Sequence, residues 1–293
     1  MQQKKTNFKR QEILFMKTIV VPTDFSPASY NAAHYAIGLA KQLDASKIIL
    51  YNAYQQYISE DPLMMSVVTQ DITELQKISE EGLQHMLQTL QAGFPANLQA
   101  ECISDYNTVT HGILQVCEEH NAELIVMGIT GASGKLEEVV IGSNAIDVSG
   151  RSKIPVIIVP ADAKYKPLKR VLLACDFKKV VETTPVDPVR KILDATHAEL
   201  HVLHVDEGAH DFKPDTPLEN LMLEELFRGY DPQYHNAASH HFTEAINQFA
   251  TENQIDLIVV IPKKHGLFEG IFKRSHTKAL AFHSHVPLMS IHE

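Results

Sequence analysis

Short apolar runs alternate with helical spacings from residue 16 onward. Thr18-Ile19-Val20-Val21, closed by Pro22, has the β-branched, unbroken hydrophobicity of a strand buried on both faces. Thr23-Asp24-Phe25-Ser26-Pro27 is the turn after it. Ser26 reads as a helix N-cap and Pro27 as the first helical residue, where its missing N–H costs no bond. The helix to about Leu43 carries Ala33, Ala36, Ile37 and Ala40 on one face, small enough for close packing on a sheet. A second strand is predicted over 47–53. A second helix over 71–90 has Leu75, Ile78, Leu83, Met86, Leu87 and Leu90 on its apolar side and stops at Gly93-Phe94-Pro95. A third strand over 98–103, a third helix over 109–120 and a fourth strand over 123–127 follow. A short helix over 143–149 and a fifth strand over 155–160 close the series, and the prolines flanking that strand place it at a sheet edge. This alternation of strand and helix specifies a parallel sheet with helices on both faces.

The pattern then starts again. Lys17 to Phe25 is echoed by Lys169 to Phe177, a shift of 152, and the same shift sets Ile48 to Ala53 against Leu200 to Val205. Later the shift is 133, pairing Val109, Ile113 and Val116 with Phe242, Ile246 and Phe249, and 124–126 with 257–259; at the last strand it is 132, pairing Pro155-Val156 with Pro287-Leu288. About twenty residues are missing from the second copy between its second and fourth strands, so its second helix is expected to be stunted. The expected organisation is an N-terminal extension over 1–15, a first domain over 16–160, a short polar linker over 161–167 and a second domain over 168–293. The two last strands, each an apolar edge that would otherwise template aggregation, are expected to pack the halves as a pseudo-twofold pair.

One stretch of the first copy is rich in glycine. Leu124-Ile125-Val126 runs into Met127-Gly128-Ile129-Thr130-Gly131-Ala132-Ser133-Gly134, and Gly142-Ser143 follows at the start of the next helix. Glycines permit positive φ and let backbone N–H groups approach a ligand with no β-carbon between. A strand, such a loop and a helix N-terminus capped by Ser143 form a natural cradle for phosphate; a tight turn with no ligand is the alternative. No Lys-Ser/Thr pair follows the last glycine and no G-x-G-x-x-G run is present, so neither the Walker loop nor the dinucleotide fingerprint applies.

Charge narrows the partners. The formal net charge is −10 and both halves are acidic, which excludes nucleic-acid binding as a main role, since phosphate neutralisation needs clustered Lys and Arg. Three cysteines without C-x-x-C spacing fit a reducing cytoplasm. No apolar run approaches the ~18 residues of a membrane span. The first fifteen residues are basic and polar, without the apolar centre of a secretion signal, and are expected to be a disordered tail with Met16 as a second candidate start. Sixteen histidines raise the question of metal. In His201-x-x-His204 the spacing along a strand turns the rings to opposite faces; His240-His241 and His283-x-His285 are better placed, but no Cys joins them and a metal needs several convergent ligands. No metal site and no catalytic residue is assigned. Ser26, Asp24 and His34 have the residue types of a hydrolase triad without its G-x-S-x-G elbow.

Taken together, the strand-plus-Asp opening, the glycine loop, Pro155-Val-Ile-Ile-Val-Pro160 and the internal repeat resemble a tandem universal stress protein. That family's nucleotide loop runs G-x-x-G, nine residues, then G-S/T; Gly128, Gly131, Gly142 and Ser143 match it in type, with ten residues between Gly131 and Gly142. The resemblance implies two tandem doubly wound α/β domains, each with a five-stranded parallel sheet of the adenine nucleotide alpha hydrolase-like kind, pseudo-twofold related. It implies ATP or AMP at the carboxyl ends of the strands, with Mg accompanying ATP. By position, Pro22, Thr23 and Asp24 would lie at the adenosine and Ala53 would meet the adenine through its backbone. Met127 and Gly128 would open the loop, Gly131, Gly142 and Ser143 would hold phosphates, and Asn144 would add an amide. In the second copy the counterparts of Gly128, Gly131 and Gly142 are Ile261, Lys264 and Arg274, while Ser275 matches Ser143, so that copy is expected to bind no ATP. The implied role is a cytoplasmic stress-response or signalling module with unknown protein partners, an internal pseudo-dimer that can also form a homodimer. Slow ATP hydrolysis and a nucleotide-free interaction scaffold are the alternatives.

Overall fold

The first apolar run forms strand β1, Thr18–Pro22, buried from Ile19 onward. The computed structural model describes residues 16–56, 71–129, 143–174, 185–206, 223–239, 241–262 and 274–292. Helix α1, Pro27–Leu43, starts where its cap residue predicts: the Ser26 hydroxyl accepts from the Ser29 N–H at 3.3 Å. It ends at Asp44, which adopts the left-handed conformation (φ 52°) and returns its N–H to the Ala40 carbonyl. The small residues Ala32, Ala33, Ala36 and Ala40 are all fully buried, so the helix lies close on the sheet.

The remaining elements of the first half are β2 (Lys47–Tyr54), α2 (Ile72–Leu90), β3 (Gln99–Tyr106), α3 (Val109–Glu119), β4 (Leu124–Ile129), α4 (Ser143–Arg151) and β5 (Val156–Pro160). The second half repeats them as β6 (Arg170–Ala174), α5 (Val186–Thr196), β7 (Glu199–Asp206), β8 (Gln233–Ala238), α6 (Phe242–Glu252), β9 (Leu257–Val260), α7 (Arg274–His283) and β10 (Leu288–Ser290). Arg170, Glu199, Phe242, Leu257 and Leu288 open their elements at the repeat positions of Thr18, Lys47, Val109, Leu124 and Val156. Between β7 and β8 the described residues hold one helical turn, 223–226, with Leu223 and Phe227 buried.

The ten strands among the described residues form one sheet in the order β3-β2-β1-β4-β5-β10-β9-β6-β7-β8. Pairing is parallel within each half, and β5 meets β10 antiparallel, with Ile158 opposite Leu288, Ile157 opposite Met289 and Val156 opposite Ser290. Ile157 and Met289 are repeat counterparts of each other, so the pseudo-twofold axis passes through this pair. Side chains alternate across the sheet and feed two cores, one on each face. One takes Ile19, Val21, Val126, Ile157, Val171 and Met289; the other takes Val20, Ile125, Ile158, Leu172, Ile258 and Leu288. Both cores run through the joint, so the halves share them.

Two sequence expectations change here. β5 is the last strand of its own half but an interior strand of the whole sheet, because β10 covers it; Pro155 and Pro160 sit at its two ends. Ile78 is 55% exposed, and the buried line of α2 is Ser79, Leu83, Met86 and Leu90. The polar linker is fastened along α1. Asn31 Nδ2 donates to the carbonyls of Pro160 (3.1 Å) and Ala163 (2.8 Å), and Gln42 exchanges two bonds with the Leu168 backbone (2.9 and 2.8 Å). Tyr165 donates to Gln42 Oε1 (3.0 Å) and lays its ring over Gly38, where a β-carbon would come within 2.2 Å of it.

Candidate functional site

From β1 the chain steps outward through β2 and β3 on one side, and from β4 to β5 on the other, while β1 and β4 are themselves paired. That is a topological switch point, and open α/β sheets form their ligand crevice outside the carboxyl ends of such a strand pair. In the first half those ends are Pro22 and Ile129, so the sequence-predicted residues of both strands come to one rim.

The turn after β1 is held by its own side chains. Thr23 is buried; its N–H donates to the Tyr51 carbonyl (2.8 Å), and its hydroxyl accepts from the Phe25 N–H (3.0 Å) and lies 3.0 Å from Ser29 Oγ. Phe25 adopts φ 61°, unusual for a bulky residue. Its ring covers Gly82 of α2, where a β-carbon would lie 2.6 Å from the ring. Asp24 is exposed, and its Oδ1 accepts from the Ser26 N–H (3.0 Å), the local bond that makes Asp a turn residue. Burial raises the Asp24 pKa, but hydrogen bonds from Ser26 and Ser29 outweigh it and hold the carboxyl below its ordinary value. The site therefore presents a carboxylate anion at neutral pH.

On the neighbouring strand Met127 and Gly128 belong to β4, which continues to Ile129; the sequence placed them at the opening of the loop. Gly128 is paired opposite Val159, and a β-carbon on it would stand 2.3 Å from the Ala28 carbonyl oxygen and 3.1 Å from the Ser29 nitrogen. Its immediate service is to let the first turn of α1 seat on β4. Gly131 and Gly142 lie outside the described residues, as does the side chain of Ser143. Ser143 is the first residue of α4, and Asn144 is exposed in that helix's first turn. α4 is tied to α3 by Thr110, whose hydroxyl donates to Asp147 Oδ2 at 2.8 Å. Ala53, half-buried near the end of β2, stands opposite Asp105 of β3.

Several residues at this rim escaped the sequence reading. Asn52 is buried and its Nδ2 donates to the Thr23 carbonyl at 2.7 Å, fixing the end of β2 to the turn after β1. A lone amide in the apolar run Ile48-Ile-Leu-Tyr-Asn-Ala53 was the available signal. Tyr51 donates to Asp105 Oδ2 (2.9 Å), and a β-carbon on Gly112 of α3 would lie 1.8 Å from the Tyr51 hydroxyl. Nothing in the local sequence links these three positions.

In the second half Ile261 stands where the first has Gly128, and it is buried. Lys264 lies outside the described residues, and Arg274 opens α7. Of the histidine pairs weighed from sequence, His240 lies outside the described residues, while His285 Nδ1 lies 2.5 Å from Asp162 Oδ2 and so ties the β10 approach to the linker. Among the described residues no group of three or more His, Cys, Asp or Glu is placed to hold a metal ion. No described helix is long and apolar enough to cross a membrane.

Comparison with known proteins agrees with this architecture. The model of the universal stress protein family matches the chain twice, over residues 16–160 and 167–292. A universal stress protein of Methanocaldococcus jannaschii is 31% identical over 160 residues, covering 50% of this chain and 84% of the relative. One of Bacillus subtilis is 31% identical over 144 residues, covering 48% of this chain and 97% of the relative. A solved universal stress protein from Archaeoglobus fulgidus shares the fold across 94% of this chain and 98% of its own, with a TM-score of 0.70 and 23% identity. A shorter solved protein of the same description, in complex with cAMP, matches 49% of this chain and 96% of its own at 24% identity and a TM-score of 0.35. With two family matches tiling the chain from residue 16, this protein belongs to the universal stress protein family.

Proposed function

We propose that the first half binds one adenine nucleotide, ATP or AMP, in the crevice outside β1 and β4, and that the protein acts as a stress-response or signalling module rather than an efficient enzyme. The observation that carries this is the switch point itself: it brings the Pro22-Thr23-Asp24 turn and the strand leading into the glycine loop to one rim, with the start of α4 completing the sequence order of strand, loop and helix. In this reading Asp24 accepts from the sugar or base, the Ala53 backbone meets the adenine, and N–H groups of the loop and of the α4 start receive the phosphates, with Gly131, Gly142, Ser143 and Asn144 as the contributors. Mg, where ATP is bound, would neutralise phosphate charge; the described residues of the rim offer Asp24 as a hard oxygen donor for it.

The second half is proposed to bind none. Ile261 is buried where the first half has no side chain, and Lys264 and Arg274 replace the other two glycines. A nucleotide-free scaffold remains a second reading because two of the candidate residues already have structural tasks: Gly128 admits α1, and Asp24 closes its own turn.

Titration of the purified full chain with ATP and with AMP by calorimetry, together with chromatography of nucleotide released on denaturation, decides between them. About one site per chain supports the proposal; two sites overturn the assignment of the second half, and none favours the scaffold.

A further inference from the structure

The second half contains a pair of imidazoles that the first half lacks. His201 on β7 is 4% exposed, and its Nδ1 lies 3.1 Å from Nε2 of half-buried His235 on β8. The ring planes are nearly parallel (17°) with centres 5.3 Å apart. Two ring radii plus the 3.1 Å gap account for nearly all of that separation, so the rings face each other edge to edge, nitrogen to nitrogen, rather than stacking. The gap suits one shared hydrogen, and among the described residues no group of three or more His, Cys, Asp or Glu converges here to hold a metal ion. Phe249 of α6 packs on both rings, with centres at 6.3 Å from His201 and 4.7 Å from His235.

Charges face the pair from three strands: Glu199 on β7, whose Oε2 is 3.8 Å from His201 Nε2, Arg170 on β6, and His235 itself on β8; α6 contributes the uncharged Phe249. The carboxylate beside His201 Nε2 favours the tautomer with its proton there, which makes His201 Nδ1 the acceptor and His235 Nε2–H the donor. One added proton leaves an N–H to N bond in place. A second puts two positive N–H groups head to head beside an aromatic ring, with His201 buried.

In the first half the same two positions are apolar. His201 corresponds to Ile49. Its register partner Gln233 corresponds to Glu101, the partner of Ile49, so His235 two residues on corresponds to Ile103. The core that takes Ile49 and Ile103 in one half is bordered in the other by Phe249, the ring that packs on both imidazoles.

We propose that His201 and His235 form an acid-sensitive clasp that holds the outermost strand β8 on β7 while at least one ring is uncharged and releases it when both are protonated, so that the second half loosens in acid while the first does not. Burial, and then the charge either ring would present to the other, hold His201 below its ordinary pKa, and burial does the same for His235. The sign follows. A histidine whose folded pKa is depressed contributes stability that is complete above the unfolded value of about 6.5 and is lost as pH falls from there toward the folded value.

The test is amide hydrogen exchange on the full chain at pH 7.5 and 5.0, corrected for the intrinsic pH dependence of exchange. Peptides over 199–206 and 233–238 should lose protection by about tenfold per pH unit within the titration window, while those over 47–54 and 99–106 hold theirs. The His201→Ile/His235→Ile double variant, which copies the first half, should lose the difference. His235→Gln, which keeps a donor and an acceptor without binding a proton, should do the same if the double variant fails to fold. Protection of β8 that is unchanged by pH, equal loss in β2 and β3, or a pH effect that survives in both variants would overturn the clasp.

Discussion

The Ala28 carbonyl oxygen occupies the space that a β-carbon on Gly128 would need, at 2.3 Å. Both atoms are backbone or fixed to it, so neither can rotate away. Gly128→Ala must shift α1 or β4, and overpacking of this kind costs about 1–3 kcal/mol. Urea denaturation without nucleotide should show that loss. Unchanged stability would mean that the helix start is not seated on the strand.

Gly131→Glu should behave differently. It places a carboxylate and a β-carbon where phosphate and backbone are proposed to meet, so ATP binding should vanish in calorimetry while the thermal midpoint without nucleotide stays near wild type. Binding of undiminished affinity would reduce the loop to a turn.

At Asp24 two substitutions separate its tasks. Asp24→Asn keeps an oxygen for the Ser26 N–H, whereas Asp24→Ala removes it. Asp24→Ala should weaken adenosine recognition by roughly 1–3 kcal/mol through the lost hydrogen bond and also loosen the turn. If Asn restores the turn but not the affinity, measured by stability and ATP titration on the same samples, the carboxylate itself recognises the ligand.

Cleavage within 161–167 should leave the halves associated on a sizing column, because β5, β10 and two shared cores hold them. The linker is nevertheless docked. Gly38→Ala drives a β-carbon to 2.2 Å from the Tyr165 ring and should speed proteolysis of the linker severalfold. Adding Tyr165→Ala should bring little further change, since the two positions share one contact and their effects cannot add. Full additivity would show that Tyr165 does not rest on Gly38.

Thiol labelling checks both cores, since Cys117 belongs to one and Cys102 packs against the other. Burial, with Glu118 adding to it, pushes the Cys117 thiol up to about 12, and burial followed by Glu101 raises Cys102. Thiolate is the reactive form, so both should label far more slowly at pH 8 than after unfolding, with Cys117 the slower. Peptide mapping by mass spectrometry reads each site separately; fast native labelling of Cys117 would contradict its burial.

Much of the fold was legible because the central strands are short apolar runs, several of them bounded by a cap or a proline, whereas the outer strand β8 is polar and gave no such signal. Ser26-Pro27 marked the start of α1 to the residue, and the repeat predicted where β6, β7 and β10 begin. Strand ends were less legible. β3 and β4 extend to Tyr106 and Ile129 because parallel partners continue past the apolar run, as Gly128 opposite Val159 shows. Ile78 misled because it lies one position off the line that packs: its neighbour Ser79 is the buried residue, and its hydroxyl accepts from Ser104 of β3. At the rim, Asp24 could be read from its turn, but Asn52, Ser29 and the Tyr51–Asp105 bond depend on residues brought together only by folding. The His201–His235 pair was invisible for the same reason: its members lie on two strands, and neither has a neighbour in sequence that points to the other.

The pairing of Ile157 with Met289 has an evolutionary meaning. In a dimer of identical chains, whatever residue sits on the twofold axis meets itself, and every substitution is made twice at once. Here the axis residue has become isoleucine on one side and methionine on the other. Each half can therefore drift alone: a glycine kept in one half, such as Gly128, need not be kept in the other, where Ile261 stands, and a proton-sensitive pair can arise in one lobe without burdening its twin. Joining the copies in one chain turned symmetry from a constraint into a starting point for division of labour.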